Sequence, residues 1–266
     1  MVTVPAHRLE QLDPGEVLEE LTEDIDFFID KSIAQRPRNV ATLYSLAWNS
    51  TQLSIRLNRP QEDIIESATL AVEAAVGLFE LAYGSTNQVS LRGKTISYNE
   101  AGPDDHAHAE TWLRATCLGL LVRNQEALDY LLKMPAEQLA ASVTRVADYR
   151  LGLVTALQLV LKDEDRLDFY RLLYQQVAAD DSDTGYESVL ITFIDALLTI
   201  TKRDAAVFNA AIVGHLQAHH RYWSSKRWGN SPEGLVCITG SALVDIAATR
   251  EIGVSIESEY LWRPVG

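Results

Sequence analysis

The segment Asp13-Pro14-Gly15-Glu16, followed by VLEELTEDIDFFID (residues 17–30), reads as one amphipathic helix. Asp13 supplies an N-cap, Pro14 suits the first helical position, and Glu16 is placed to complete a capping box. Val17, Leu21, Ile25, Phe28 and Ile29 fall on one face at helical spacing. The same period continues outward from this segment. A second helix is expected to open at Pro37 and bury Leu43, Leu46, Ser50, Leu53 and Leu57, stopping near Asn58. Pro60 starts a third, with a stripe of Ile65, Ala68, Val72, Ala75 and Phe79 that ends at Gly84, where a residue tolerant of positive φ can close the helix.

Between Gln88 and Tyr98 the period changes to that of a strand. Gly93-Lys94 is expected as a two-residue turn of the II′ type, glycine first, which sets Leu91 opposite Ile96 and Val89 opposite Tyr98 on one apolar face. Such a hairpin is too small to stand alone and must pack on helices. Helices resume after Gly102-Pro103 with Trp112, Leu113, Cys117, Leu120 and Leu121 on one stripe, then a short segment from Asn124 to Met134. Further helices are expected over 136–147, 149–161, 164–178, 185–200, 204–225 and 233–249, with Gly253 to Tyr260 extended. The fold class is therefore all-α: about ten helices in an antiparallel array of tetratricopeptide-like pairs, with one small hairpin inserted near 88–98. No motif repeats at a fixed period, and residues 1–266 are read as a single all-α domain.

The chain has 266 residues, with 37 Asp and Glu against 23 Lys and Arg, for a formal net charge of −14. Gripping phosphates takes clustered Lys and Arg, so this balance argues against a nucleic-acid binder and for solubility or a basic partner. Cys117 and Cys237, the only cysteines, are too few for a disulfide framework or a four-sulfur zinc site and fit a reducing compartment. No signal-peptide pattern opens the sequence. The most apolar run, Leu151 to Leu161, is shorter than the roughly 20 residues a membrane helix needs. The expectation is a soluble, cytoplasmic protein that engages no membrane.

Candidate chemistry is sparse. Asp104, Asp105, His106, His108 and Glu110 gather at an expected helix start, where aspartates cap backbone N–H groups, and their spacing matches no metal motif. His215 and His219 have the i, i+4 spacing of a helical zinc pair, yet the residues between them lack the glutamate base of that motif. Their stripe also carries Phe208, Ile212 and Tyr222, which favours a packing role. Ser241 lacks the flanking glycines of a nucleophile elbow and reads as a helix-packing serine. The acidic runs Glu19-Glu20 with Glu23-Asp24, Asp163-Glu164-Asp165, and Asp180-Asp181 with Asp183 read as caps and solvated faces, or as docking surfaces for a cationic protein. Trp223 and Trp228 are either interface anchors or closures of helix ends.

The C-terminal third carries a more specific pattern: His220-Arg-Tyr-Trp223, Asn230-Ser-Pro-Glu-Gly234, an apolar helix Leu235 to Ala248, and a closing Gly253-Val-Ser-Ile-Glu-Ser-Glu-Tyr260. This order resembles the end of the immunity protein 49 family, all-α proteins encoded beside toxins of bacterial polymorphic toxin systems and thought to protect the producing cell by binding the toxin. The resemblance is sharp over about the last fifty residues and architectural before that. The usual proline after the final tyrosine is displaced here to Pro264. The family suggests no catalytic residues and no cofactor. Its signature has a structural explanation, with Pro232 and Gly234 shaping the turn into the last helix and Glu257 to Tyr260 covering the end of the array. The resemblance implies an immunity protein that occludes the active site or substrate groove of a cognate toxin, with no enzymatic role. A basic toxin suits the charge, and Asp163, Glu164, Asp165, Asp180, Asp181, Asp183, Trp223 and Trp228 are the candidate partner-binding residues. A helical-repeat adaptor for a peptide or regulatory protein is the alternative, and a metal-dependent hydrolase using His106, His108, His215 or His219 the third. Oligomeric state is left open.

Overall fold

Asp13 caps the first helix as its sequence predicts, its Oδ1 accepting the backbone N–H groups of Gly15 and Glu16 at 2.7 and 3.3 Å. In this computed structural model, residues 3–7, 9, 12–30, 37–84, 86–98, 102, 105–140, 148–164, 166–179 and 185–264 are described. They form an all-α protein with a small inserted hairpin. The chain falls into two compact units, residues 11–146 and residues 147–266 joined by 1–10.

In the unit formed by 11–146, α1 (Pro14–Asp30) buries Leu18, Ile25 and Ile29, with Val17, Leu21 and Phe28 half-buried beside them. Glu19, Glu20, Glu23 and Asp24 lie on its exposed side. α2 (Pro37–Arg56) is covered on most of its circumference, so the expected stripe of Leu43, Ser50 and Leu53 is joined by Val40, Tyr44, Ala47, Trp48 and Gln52. Asn58 ends that helix region at φ +51, a left-handed position that asparagine tolerates. α3 (Gln61–Tyr83) is the central element, packed on α2 and on the helices and strand that follow. Its buried Ala68, Ala71, Ala74, Ala75 and Gly77 let those neighbours come close. Gly84 does close α3, but at φ −83. Space rather than positive φ dictates the glycine, since a Cβ there would run into the Glu80 carbonyl oxygen.

The hairpin consists of β2 (Gln88–Leu91) and β3 (Lys94–Ser97), with Val89 opposite Ile96 and Leu91 opposite Lys94. The turn is thus Arg92-Gly93, at φ +48 and +71, the pattern of a type I′ turn, and not the expected Gly93-Lys94. A register shift of two residues preserves the faces, so Val89, Leu91, Ile96 and Tyr98 are all buried as expected. The cause lies in the helices beneath. The Arg92 N–H donates to the Glu73 carboxylate at 2.8 Å, and its guanidinium reaches Asp26 at 3.0 Å and Glu66 at 3.3 Å. These contacts hold a non-glycine residue in the left-handed region.

α4 (Ala109–Leu121) starts later than expected, because His108 and not an aspartate caps it, its Nδ1 accepting the Thr111 N–H at 3.4 Å. α5 (Gln125–Lys133) is capped by Asn124 and tied to α4 by the buried Trp112, whose indole N–H donates to the Leu131 carbonyl at 2.8 Å. α6 (Ala136–Leu139) is the described part of the segment expected over 136–147. Residues 141–147 lie outside the described residues.

The other unit contains β1 (Thr3–Val4), α7 (Asp148–Leu161), α8 (Leu167–Ala178), α9 (Glu187–Lys202), α10 (Ala205–Trp223), α11 (Ile238–Thr249) and β4 (Glu257–Ser258). α9 is its centre and touches α7, α8, α10 and α11. Asp204 caps α10 through the N–H groups of Ala206 and Val207. The helix expected over 233–249 is broken: Pro232–Gly234 makes a 3-10 turn, and α11 begins only at Ile238. The extended end is a strand only at Glu257–Ser258, which pairs in parallel with Thr3–Val4.

Candidate functional site

The C-terminal pattern converges on one buried cluster. Trp223, at the end of α10, lies over Gly234, where a Cβ would drive into the indole ring. His219, one turn earlier, turns its Nε2 to the Gly234 carbonyl at 2.9 Å and meets Tyr260 edge-on at 4.9 Å between ring centroids. Tyr260 is fully buried, and its hydroxyl accepts the His7 backbone N–H at 2.9 Å while standing 3.0 Å from His7 Nδ1 and 3.1 Å from His220 Nδ1. One hydroxyl proton serves one imidazole only, so the other imidazole must donate its own N–H. Cys237 N–H donates to the Tyr260 carbonyl at 2.8 Å. Ser241 packs as expected, donating to the Cys237 carbonyl at 3.0 Å and accepting the Trp262 N–H at 2.9 Å. The 3-10 turn at Pro232–Gly234 thus precedes α11, as expected of Pro232 and Gly234, and Tyr260 is anchored among His7, His219 and His220.

His215 is sealed in the core. Its Nδ1 stands 3.1 Å from Thr192 Oγ1 and its Nε2 3.0 Å from Thr239 Oγ1. Thr192 gives its own proton to the carbonyls of Ser188 or Val189, so it accepts from Nδ1–H, and Thr239 donates to a bare Nε2. Burial disfavours the imidazolium and lowers the pKa to about 4. Both nitrogens of His215 are committed within the protein. At the other candidate ligand group, His108 is a cap and Glu110 pairs with Arg114 at 2.8 Å, while Asp104 lies outside the described residues. Among the described residues, no group of three or more His, Cys, Asp or Glu side chains is placed to hold a metal ion. Cys117 and Cys237 are buried thiols, and burial pushes that of Cys237 up to about 11.

The candidate partner-binding residues divide. Asp163 sits at φ +57 after α7 and accepts from Arg203 and Arg250, each at 3.1 Å, so it joins the ends of α7, α9 and α11. Glu164 is exposed. Asp165, Asp180, Asp181 and Asp183 lie outside the described residues. Trp223 is only 5% exposed. Trp228 is half-buried, 6.0 Å from both Tyr222 and Trp223, with the Arg227 guanidinium 4.7 Å over its ring. Tyr186 extends this aromatic group, 5.0 Å from Tyr222.

Two acidic clefts lie on the unit formed by 11–146, and of their carboxylates the sequence reading singled out only Glu19 and Glu23. One, of about 690 Å³, is lined by Glu73, Glu80, Glu126, Asp129, Tyr130 and Lys133. Burial, and then the charge of Glu126, raises the Glu80 carboxyl above its ordinary range. Burial, and then Glu80, pushes Tyr130 up to about 12. The other, of about 580 Å³, is lined by Glu19, Glu23, Asp26, Asp63 and Glu66 with Arg59 and Arg92. Glu66, Glu73 and Glu80 are seven apart on α3, two helical turns each, so they share one face. That spacing was the legible signal.

These features define an all-α scaffold in which His108 caps a helix, His7, His215 and His219 are buried, His106 is exposed, and the surface is rich in carboxylates. The sequence profile of the Immunity protein 49 family matches residues 56–262, more than half of the chain, and the protein belongs to that family. No curated protein and no solved structure matches it. The family is generally non-enzymatic. No helix among the described residues is long and apolar enough to cross a membrane.

Proposed function

We propose that this protein binds a cognate bacterial toxin in the cytoplasm and neutralises it by covering the active site or substrate groove, without catalysis and without a cofactor. The observation that carries the reading is the family match over 56–262, which runs through parts of both compact units and supports treating the whole chain as one immunity-type domain. The partner surface is basic, because an excess of 14 negative charges and two carboxylate-lined clefts favour a cationic protein over any other polymer. Asp163, Glu164, Asp165, Asp180, Asp181 and Asp183 supply the rim of the contact, with Trp228 resting on Trp223 as an aromatic edge. A specific inhibitory contact needs on the order of 1,200–2,000 Å² of buried surface and a few anchors.

The test is co-expression with the C-terminal domain of the protein encoded by the adjacent gene, scoring survival and co-purification. Rescue together with a stoichiometric complex is the expected result. Rescue without a complex would mean enzymatic reversal of the damage, and the binding reading would fall. With purified partners, association should slow by about tenfold or more as salt rises, while dissociation changes less.

A further inference from the structure

The segment 3–7 is held by a short series of contacts that ends at one hydroxyl. Thr3 and Val4 pair in parallel with Glu257 and Ser258. Ser258 Oγ donates to the Val4 carbonyl at 2.7 Å, and the Ala6 N–H donates to Glu259 Oε2 at 3.2 Å. The His7 N–H then donates to the Tyr260 hydroxyl at 2.9 Å. Val4 and Ala6 are buried while Thr3 and Pro5 are exposed, the alternation of a strand lying on a surface, and β1 rests on α10. Five residues held in this way open at a lower free energy than the helices behind them.

The hydroxyl at the end of the series is fully used. Its oxygen has room for two donors, and it has one proton to give. The His7 N–H takes one acceptor position. His7 Nδ1 and His220 Nδ1 stand 3.0 and 3.1 Å away, so one imidazole donates its Nδ1–H to the second position and the other accepts the hydroxyl proton on a bare nitrogen. A first proton can be added at Nε2 of the donating ring, and every hydrogen bond survives. A second proton must go on the accepting Nδ1, which then meets a hydroxyl proton with no lone pair left to receive it. Two positive rings would also share one oxygen inside a site where His7 is only 6% exposed.

The neighbouring groups do not relieve this. Among the described residues, the titratable side chains meeting at Tyr260 are His7 on the strand, His219 and His220 on α10, and Glu259 beside it in sequence. His219 gives its Nε2–H to the Gly234 carbonyl and presents a ring edge to Tyr260. Cys237, at the start of α11, brings its backbone N–H to the Tyr260 carbonyl, and its buried thiol stays protonated, its pKa pushed up to about 11. The Glu259 carboxylate can offset one positive charge and not two.

We propose that residues 3–7 form an acid-released strap, closed on Tyr260 at neutral pH and freed when His7 and His220 both take up a proton. The closed strap holds one imidazolium at most, and the open strap holds two. Opening therefore takes up one proton, and its equilibrium constant rises up to about tenfold per pH unit below the ordinary histidine value of about 6.5. Release uncovers Tyr260 and the part of α10 on which β1 rests.

The test is amide hydrogen exchange of the full-length protein, followed by nuclear magnetic resonance from pH 7.5 to 5.5, with each rate divided by the intrinsic rate at that pH. Opening at Ala6 and His7 should rise about tenfold over this range, while Leu216 in the core of α10 stays at least about 100-fold better protected. His7→Gln should flatten the pH dependence to within about twofold, because His220 alone can carry its proton in both states. His220→Gln supplies an acceptor that does not titrate and should flatten it as well. In both variants the slope is read and not the level, so a strap loosened by the substitution still decides the question. Wild-type opening that is flat to within about twofold overturns the proposal. Ala6 and Leu216 opening together overturns it too, since the strap then leaves only when the whole unit unfolds. A full slope in His220→Gln assigns the effect to the burial of His7 alone and overturns the role of the shared hydroxyl.

Discussion

His215 gives the fold a pH dependence that one substitution should remove. The imidazole is fully buried, and its two hydrogen bonds to Thr192 and Thr239 suit the neutral Nδ1–H form, so its pKa falls from the ordinary 6.5 to about 4. In the unfolded chain the same group takes up a proton near pH 6.5. Between those values the unfolded state binds more protons than the native state, so stability is complete above about pH 6.5 and falls as the medium is acidified towards pH 4. From pH 7 to pH 4.5 the loss works out at about 2 kcal/mol, a large share of the roughly 5–15 kcal/mol that holds a typical domain folded. Glu80 and Asp195, whose carboxyls burial raises, act in the opposite sense, because acid protonates them in the native state first. A difference measurement separates the terms. Urea unfolding followed by far-UV circular dichroism at pH 7, 6, 5 and 4.5 should show His215→Gln less stable than wild type at neutrality, with the gap narrowing by about 2 kcal/mol at pH 4.5. A gap constant to within about 0.5 kcal/mol would refute the reasoning and mean that the native imidazole takes its proton at an ordinary pH.

Other substitutions probe the same packing. Gly234→Ala pushes a Cβ into the Trp223 indole and should cost about 1–3 kcal/mol in chemical unfolding, with a change in near-UV tryptophan signals. Tyr260→Phe strips a buried hydroxyl from the His7 N–H and two imidazoles and should cost about 1–3 kcal/mol, with faster amide exchange at His7. Gly93→Ala places a side chain at φ +71 in open space, so its penalty is conformational alone, about 1 kcal/mol by thermal unfolding, and Gly93→Asn should cost less.

Helices were legible because their signals are local: the Asp13 cap, the Pro37 and Pro60 starts and the apolar stripes all act within one or two turns. What escaped reading depended on distant partners. Two-residue turns at Gly93-Lys94 and at Arg92-Gly93 put the same side chains on the buried face, so alternation alone does not choose between them. Asp26, Glu66 and Glu73 choose, and all three lie on helices well before the hairpin in sequence. Likewise the sequence places an aspartate pair at the expected start of α4, but His108 caps it. The candidate site was readable in pieces. The acidic runs at 163–165 and 180–183 were visible as charge, whereas no local signal separates Leu167, Leu172 and Tyr174, which are exposed, from Tyr170, Leu173 and Val177, which are buried.

The burial of the family signature bears on how such a protein can be specific. Trp223, Gly234 and Tyr260 all point inward, and each is held by a contact that tolerates little change: an indole over a bare Cα, or a hydroxyl shared between two imidazoles and an amide. Residues under that constraint preserve a scaffold and have no side-chain surface left with which to discriminate between partners. The outward side chains of α8 are under less constraint, since Leu172 and Tyr174 are 54% and 41% exposed and polar groups are tolerated at such positions. One scaffold can therefore carry different outward faces without altering the cluster that holds it together. It follows that polar substitutions at Leu172 and Tyr174 should leave the thermal midpoint unchanged, whereas substitutions at Trp223, Gly234 or Tyr260 should lower it.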